Sequence, residues 1–175
     1  MDPKVFFLIG VAGVGGWVWN SASNYDPTIF DMTKQEVEAK LTTAVSEIEG
    51  MQGGTVRIYP GMKTSGGVTI MRQFKDGNYV GKVNSCKARI TELEPGKTQV
   101  IADCSDPTSS RSSSAQGRTL DEYGAVTVQE HIYSQLLGKP YNVEKAKSQK
   151  VRATMQNMGE MRQEALETAD RMKRY

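Results

Sequence analysis

A chain of 175 residues, 38% apolar and 24% charged, has the composition of one folded domain with room for terminal extensions, and this excludes a disordered chain. Its net charge is +2, with nine Lys and Arg against five Asp and Glu in residues 139–175, and thirteen against fifteen in residues 1–138. That imbalance is too weak for a nucleic-acid surface, which gathers several cations on one side; the tail's bases alternate with Glu160, Glu164, Glu167 and Asp170, as on a solvated helix.

The chain begins Met-Asp-Pro-Lys and then runs apolar or glycine from Val5 to Trp19. A membrane-crossing helix needs about 20 such residues, and a secretory signal needs fewer. Two readings follow for residues 1–23. Trp17 and Trp19 suit the headgroup interface and favour an uncleaved anchor, whereas Ser21-Ala22-Ser23 is small enough for a cleaved signal. Both put the body outside the cytoplasm, in the periplasm if the source is bacterial, in an oxidising compartment. A buried strand is the remaining reading. The glycines at positions 10, 13, 15 and 16 do not follow the Gly-x-Gly-x-x-Gly order of a dinucleotide loop; Ala12 and Gly16 instead have the small-xxx-small spacing of packed membrane helices.

Residues 24–142 read as an α+β domain. Thr33 and Glu36 form a capping box, and Val37, Leu41, Ala44, Val45 and Ile48 make the apolar face of a helix that ends at the glycines after Ile48. Strands follow from Thr55 to Tyr59, from Gly67 to Phe74, through a long run to Leu93, and from Thr98 to Cys104, with Pro60-Gly61, Asp76-Gly77 and Pro95-Gly96 as turns. In the last hairpin one register pairs Cys86 with Cys104, Ala88 with Ala102 and Ile90 with Val100, so every apolar partner shares a face. The same register brings the two cysteines within reach of a disulfide if the chain is exported. A two-residue Asp-Gly turn gives the preceding hairpin the opposite parity, and a bulge near Asn84 or Ser85, or a three-residue turn, restores it.

Residues 105–124 lose all periodicity around a run of serines and read as a mobile loop. A second helix follows from Ala125 to Leu137, stopped by Gly138, and carries the single histidine, His131, as a partly exposed structural residue. Residues 143–175 read as a long helical tail with a seam of Val151, Thr154, Met158, Met161, Ala165, Thr168 and Met172. The expected fold is therefore an antiparallel sheet of about four strands packed against two helices, with an apolar N-terminal segment and a long C-terminal helix. This order loosely resembles that of helix-grip domains, which hold apolar ligands between a curved sheet and a helix; no residue motif carries the likeness, and no family is assigned.

No catalytic signature of the Gly-x-Ser-x-Gly, Ser-x-x-Lys or His-Glu-x-x-His kind occurs, and one histidine without neighbouring ligands makes no metal site. No cofactor is implied. The leading expectation is a membrane-tethered or exported non-catalytic module, held to the membrane through Val5 to Trp19. It would bind a small apolar ligand against Val68, Ile70, Ala88 and Ile90, or a protein partner through the C-terminal helix. The alternative is an enzyme of unrecognised type with acidic residues at its active site.

Overall fold

The computed structural model describes residues 28–50, 53–105 and 114–172. The segment from Val5 to Trp19 lies outside the described residues, as does the serine run of residues 106–113. In chain order the elements are β1 (Ile29–Phe30), α1 (Lys34–Leu41), β2 (Ser46–Glu49), β3 (Thr55–Thr64), β4 (Gly67–Asp76), β5 (Tyr79–Val80), β6 (Asn84–Glu94), β7 (Lys97–Asp103), α2 (Ala115–Leu137) and α3 (Val143–Met172). All strand pairs are antiparallel, in the order β1-β7-β6-β4-β3-β2 with β5 beside β4. The fold is α+β as expected, but the sheet has seven strands rather than four.

The extra strands come from two places where sequence periodicity misleads. The capping box at Thr33 and Glu36 is present, yet α1 stops at Leu41. Thr42 and Thr43 turn their hydroxyls back onto the carbonyls of Glu38, Ala39 and Lys40, which satisfies the helix end. Beyond them Ser46 and Ile48 face inward while Glu47 and Glu49 face water, the period of a strand, and Val45 is exposed. Pro60-Gly61, expected as a turn, is a bulge inside β3, where the register with β4 shifts between Pro60 and Lys63. Strand β2 pairs with β3 only as far as Ile58, so the N–H that Pro60 lacks is missed by no ladder on that side.

The parity problem of the next hairpin is solved by a bulge, slightly earlier than expected. Asp76 pairs with Tyr79 and Lys75 with Val80, but Arg72 pairs with Asn84 and Ile70 with Cys86. One residue is therefore inserted between Gly81 and Asn84, and Ile70, Cys86 and Ala88 return to a common face. In the last hairpin Ala88 pairs with Ala102 and Ile90 with Val100, and Cys86 is bonded to Cys104. Gly67 enters β4 with φ of 149°, and a Cβ there would overlap the Ala88 carbonyl oxygen, so only glycine fits this close approach.

Helices α1 and α2 lie on the face of the sheet formed by Ile58, Val68, Ile70, Ala88, Ile90 and Val100, and fill it with Val37, Leu41, Val128, Ile132 and Leu136. Gly138, with φ of 63°, ends α2. The loop expected over residues 105–124 is corrected at its C-terminal half: α2 begins at Ala115, capped by Ser114. Its first turns bury Ala115, Gly117, Thr119 and Gly124. Small residues that pack on a neighbouring helix leave no apolar stripe to read.

That neighbour is α3, antiparallel to α2. Ala146 and Ala153 are buried in the contact, and much of the rest is polar. Both oxygens of Glu164 accept the Ala115 N–H at 2.9 Å, at the positive end of α2. Arg118 meets Glu160 at 2.7 Å, Asn157 donates to Glu122 at 2.7 Å, and Tyr123 bonds Thr154. The expected seam is accordingly displaced. Thr154 and Met161 do face α2, but Val151, Met158 and Met172 point to solvent.

Replacing Ile70 by Ala is expected to cost about 2–5 kcal/mol in urea unfolding, whereas Thr91→Ala, on the exposed face of β6, should change stability by less than about 0.5 kcal/mol. An Ile70→Ala protein as stable as its parent would contradict a filled interior.

Candidate functional site

The four sheet residues expected to wall a ligand cavity do share one face of β4 and β6. Val68, Ile70 and Ala88 are 0% exposed and Ile90 is 4% exposed. At 0% exposure no water-sized space touches a side chain, so these residues meet α1 and α2 rather than an opening. Cys86 is buried at the end of the same row, and its bond to Cys104 closes the β6–β7 pair beside the start of α2.

Outside this core, a hollow of about 490 Å³ lies between β7 and α2 beside the disulfide. Ile101, Ala102, Cys104 and Ala125 form its apolar part, with Arg89, Asp103 and Glu122 among its charged residues. Ser105 donates both its hydroxyl, at 2.6 Å, and its N–H, at 3.0 Å, to Asp103, which also pairs with Arg89. The Ser105 hydroxyl, then the Ser105 N–H and Arg89, hold the Asp103 carboxyl below its usual range. It is an ion-paired acid, without the raised pKa of a proton donor.

The other end of α2 gathers the buried polar groups. His131, expected to be partly exposed, is fully buried, and its Nδ1 lies 2.9 Å from the Ser46 hydroxyl of β2. Burial pushes its ring down to about 4, so it is neutral at physiological pH. The neighbouring Glu130 points elsewhere: it takes Lys145 at 2.7 Å and the Asn142 N–H at 3.3 Å, tying α2 to the start of α3. His131 and Glu130 therefore form no acid/base couple. Among the described residues no group of three or more His, Cys, Asp or Glu side chains is placed to hold a metal.

Next to this tie is a second, smaller cavity of about 90 Å³, lined by Arg72 of β4, Thr127 of α2, Tyr141, and Lys147 and Lys150 of α3, with Glu49 of β2. Burial, then the charge of Glu130, pushes the Tyr141 hydroxyl up to about 12. Burial, then the like charge of Arg72, lowers the Lys150 pKa. The Arg72 guanidinium passes so close to α2 that a Cβ on Gly124 would lie 2.7 Å from its Nη2 and 3.0 Å from the Cys104 sulfur. Sequence reasoning missed this cluster, because arginine and lysine on strands and helices read as solvated positions and only the packing of β2, β4, α2 and α3 buries them.

The last feature is on the surface. At 100° per residue, Val151, Met155, Met158, Leu166 and Met172 of α3 fall within about 120° of arc; Met172 lies at the angle of Thr154, the side chain bonded to Tyr123 of α2, and the others are turned further from α2. Their exposure runs from 48% at Val151 to 69% at Met172, with Arg162 in the middle of the row. Comparison with protein-family models, with curated proteins and with solved structures finds no match to this chain.

The buried histidine has a measurable consequence. Its folded pKa lies below its unfolded value of 6.5, so the unfolded chain binds the extra proton and stability falls as pH drops from about 6.5 towards about 4. Unfolding in urea across that window should show a loss of up to about 3 kcal/mol, which His131→Gln reduces. Equal pH dependence in parent and variant would mean that the ring is not buried in its neutral form.

Proposed function

We propose that this chain is an exported or membrane-tethered module without catalysis of its own, which docks an apolar helical face of a partner protein on the outer side of α3. The observation that carries the reading is the exposed row of Val151, Met155, Met158, Leu166 and Met172 on a helix whose other side is already held by α2. Methionines adapt to irregular partner surfaces, and an apolar row on an ordered helix is the usual form of a helix-docking surface.

The filled interior weighs against a small apolar ligand between sheet and helices, because admitting one would require displacing packed side chains. The Cys86–Cys104 bond supports an oxidising compartment, and the apolar run from Val5 to Trp19 supports export or a tether. Among the described residues no helix is long and apolar enough to cross a membrane. The enzyme reading finds its best acids in the hollow beside the disulfide, where Asp103 is held in an ion pair with Arg89 and by hydrogen bonds from Ser105, and this favours the binding module.

Met155→Glu combined with Leu166→Glu tests the docking face, since both side chains are at least 60% exposed and their replacement should leave stability within about 1 kcal/mol of the parent. The full chain, cross-linked in its native membranes and sized on a native gel, is expected to run as a complex larger than the chain alone, and the double variant as the chain alone. A parent and a variant of the same size would remove α3 as the docking surface. A complex with the mass of two chains would replace the partner by a second copy.

A further inference from the structure

We propose that the cavity between β2, β4, α2 and the start of α3 is a binding site for a small oxyanion of the phosphate or sulfate class. Arg72 and Lys150 would provide the charge, Tyr141 a hydroxyl donor, and Lys147 a cation at the mouth.

Three elements distant in sequence bring their charges to this one place. The lining holds three cations against one acid, Glu49. Glu130, the other acid close to Tyr141, is already engaged by Lys145 and by the Asn142 N–H. Lys147 reaches Glu144 at 3.3 Å on the outer surface, but Lys150 has no ion pair among the described residues. Lys150 loses hydration in this partly buried hollow and is repelled by Arg72, and an anion beside it relieves both costs. The lowered pKa of Lys150 fits both, the lost hydration first and the like charge of Arg72 second.

The donors suit the ligand. Arg72 carries five N–H groups in a planar fork, so contacts it makes elsewhere in the protein leave others for an oxyanion. The Tyr141 hydroxyl is buried and short of a well-formed hydrogen bond, with the Thr127 hydroxyl as a weak contact that an oxyanion would replace. Its raised pKa keeps it protonated, hence a donor, at any physiological pH. Thr127 spends its hydroxyl proton on the Tyr123 carbonyl at 2.8 Å, so it orients the wall rather than the ligand. A volume of about 90 Å³ exceeds the space needed for one water and is far below that of a drug-sized pocket, which selects a compact, highly charged ligand. Gly124 belongs to the same design, since any side chain there would press on the Arg72 guanidinium.

The test is calorimetric titration of the full chain with inorganic phosphate and with sulfate, in chloride buffer at matched ionic strength. Saturable binding is expected, and Lys150→Gln and Tyr141→Phe should each weaken it by about tenfold or more while Lys75→Gln, exposed at the far end of β4, leaves it unchanged. Tyr141→Phe keeps the ring and removes only the hydroxyl, so its thermal unfolding curve separates a lost ligand contact from a lost fold. Displacement of phosphate by glycerol phosphate would identify a phosphate monoester as the ligand taken, and failure to displace would identify the free anion; both support the site. Absence of saturable binding, or binding unaffected by both variants, would overturn it.

Discussion

The antiparallel pairing of β6 with β7 is the constraint on which the rest of the molecule depends. Cys86, Ala88 and Ile90 alternate with Lys87, Arg89 and Thr91, and their partners Cys104, Ala102 and Val100 stand on the same side. A slip of one residue would turn the three apolar side chains of one strand to solvent and bring its polar set inward, a loss on the scale of the few kcal/mol that separate a folded domain from its unfolded chain. The disulfide fixes the end of this register where β7 leaves for α2. From that pair the sheet extends through β4, whose bulge beyond Gly81 restores the common parity, to β3 and β2.

The face so defined is buried by α1 and α2. Val68, Ile70 and Ala88 are buried there in one core cluster with the helix side chains. The two surfaces proposed for recognition are outside it: the apolar row on α3, and the basic cavity where β4 meets the two long helices. Helix α3 contributes to both. Its side towards α2 is held by hydrogen bonds and ion pairs, which leaves most of its large apolar side chains free of that contact. Its first turns are tied to α2 through Lys145 and Glu130, and this brings Lys150 close to Arg72.

Features governed by local chemistry or by strict alternation were legible in the amino-acid sequence. Thr33 and Glu36 announce a helix start, Gly138 a helix stop, and the period of two around Cys86 and Cys104 gives both a register and a bond. What was not legible depends on packing. Val37, Leu41, Ala44 and Ile48 fit a helical period, yet the threonines at 42 and 43 end the helix and Ile48 enters a strand. Residues 115–124 carry alanine, glycine and threonine on their buried side, so the helix there has no hydrophobic stripe. The α2–α3 contact is largely polar, and a search for an apolar seam finds the outward methionines instead. His131, Arg72 and Lys150 are ordinary polar residues in sequence, and only the tertiary fold buries them.

The disulfide locks the sheet, and we propose that it forms in an oxidising compartment. The direct measurement is the intact mass of the full chain isolated from its native membrane fraction, alkylated at once, with and without prior reduction. With the bond formed, no cysteine is alkylated before reduction, and the mass of the unalkylated chain rises by about 2 Da on reduction. Cys86 and Cys104 both alkylated without reductant, in a protein recovered from the cytosol, would contradict it.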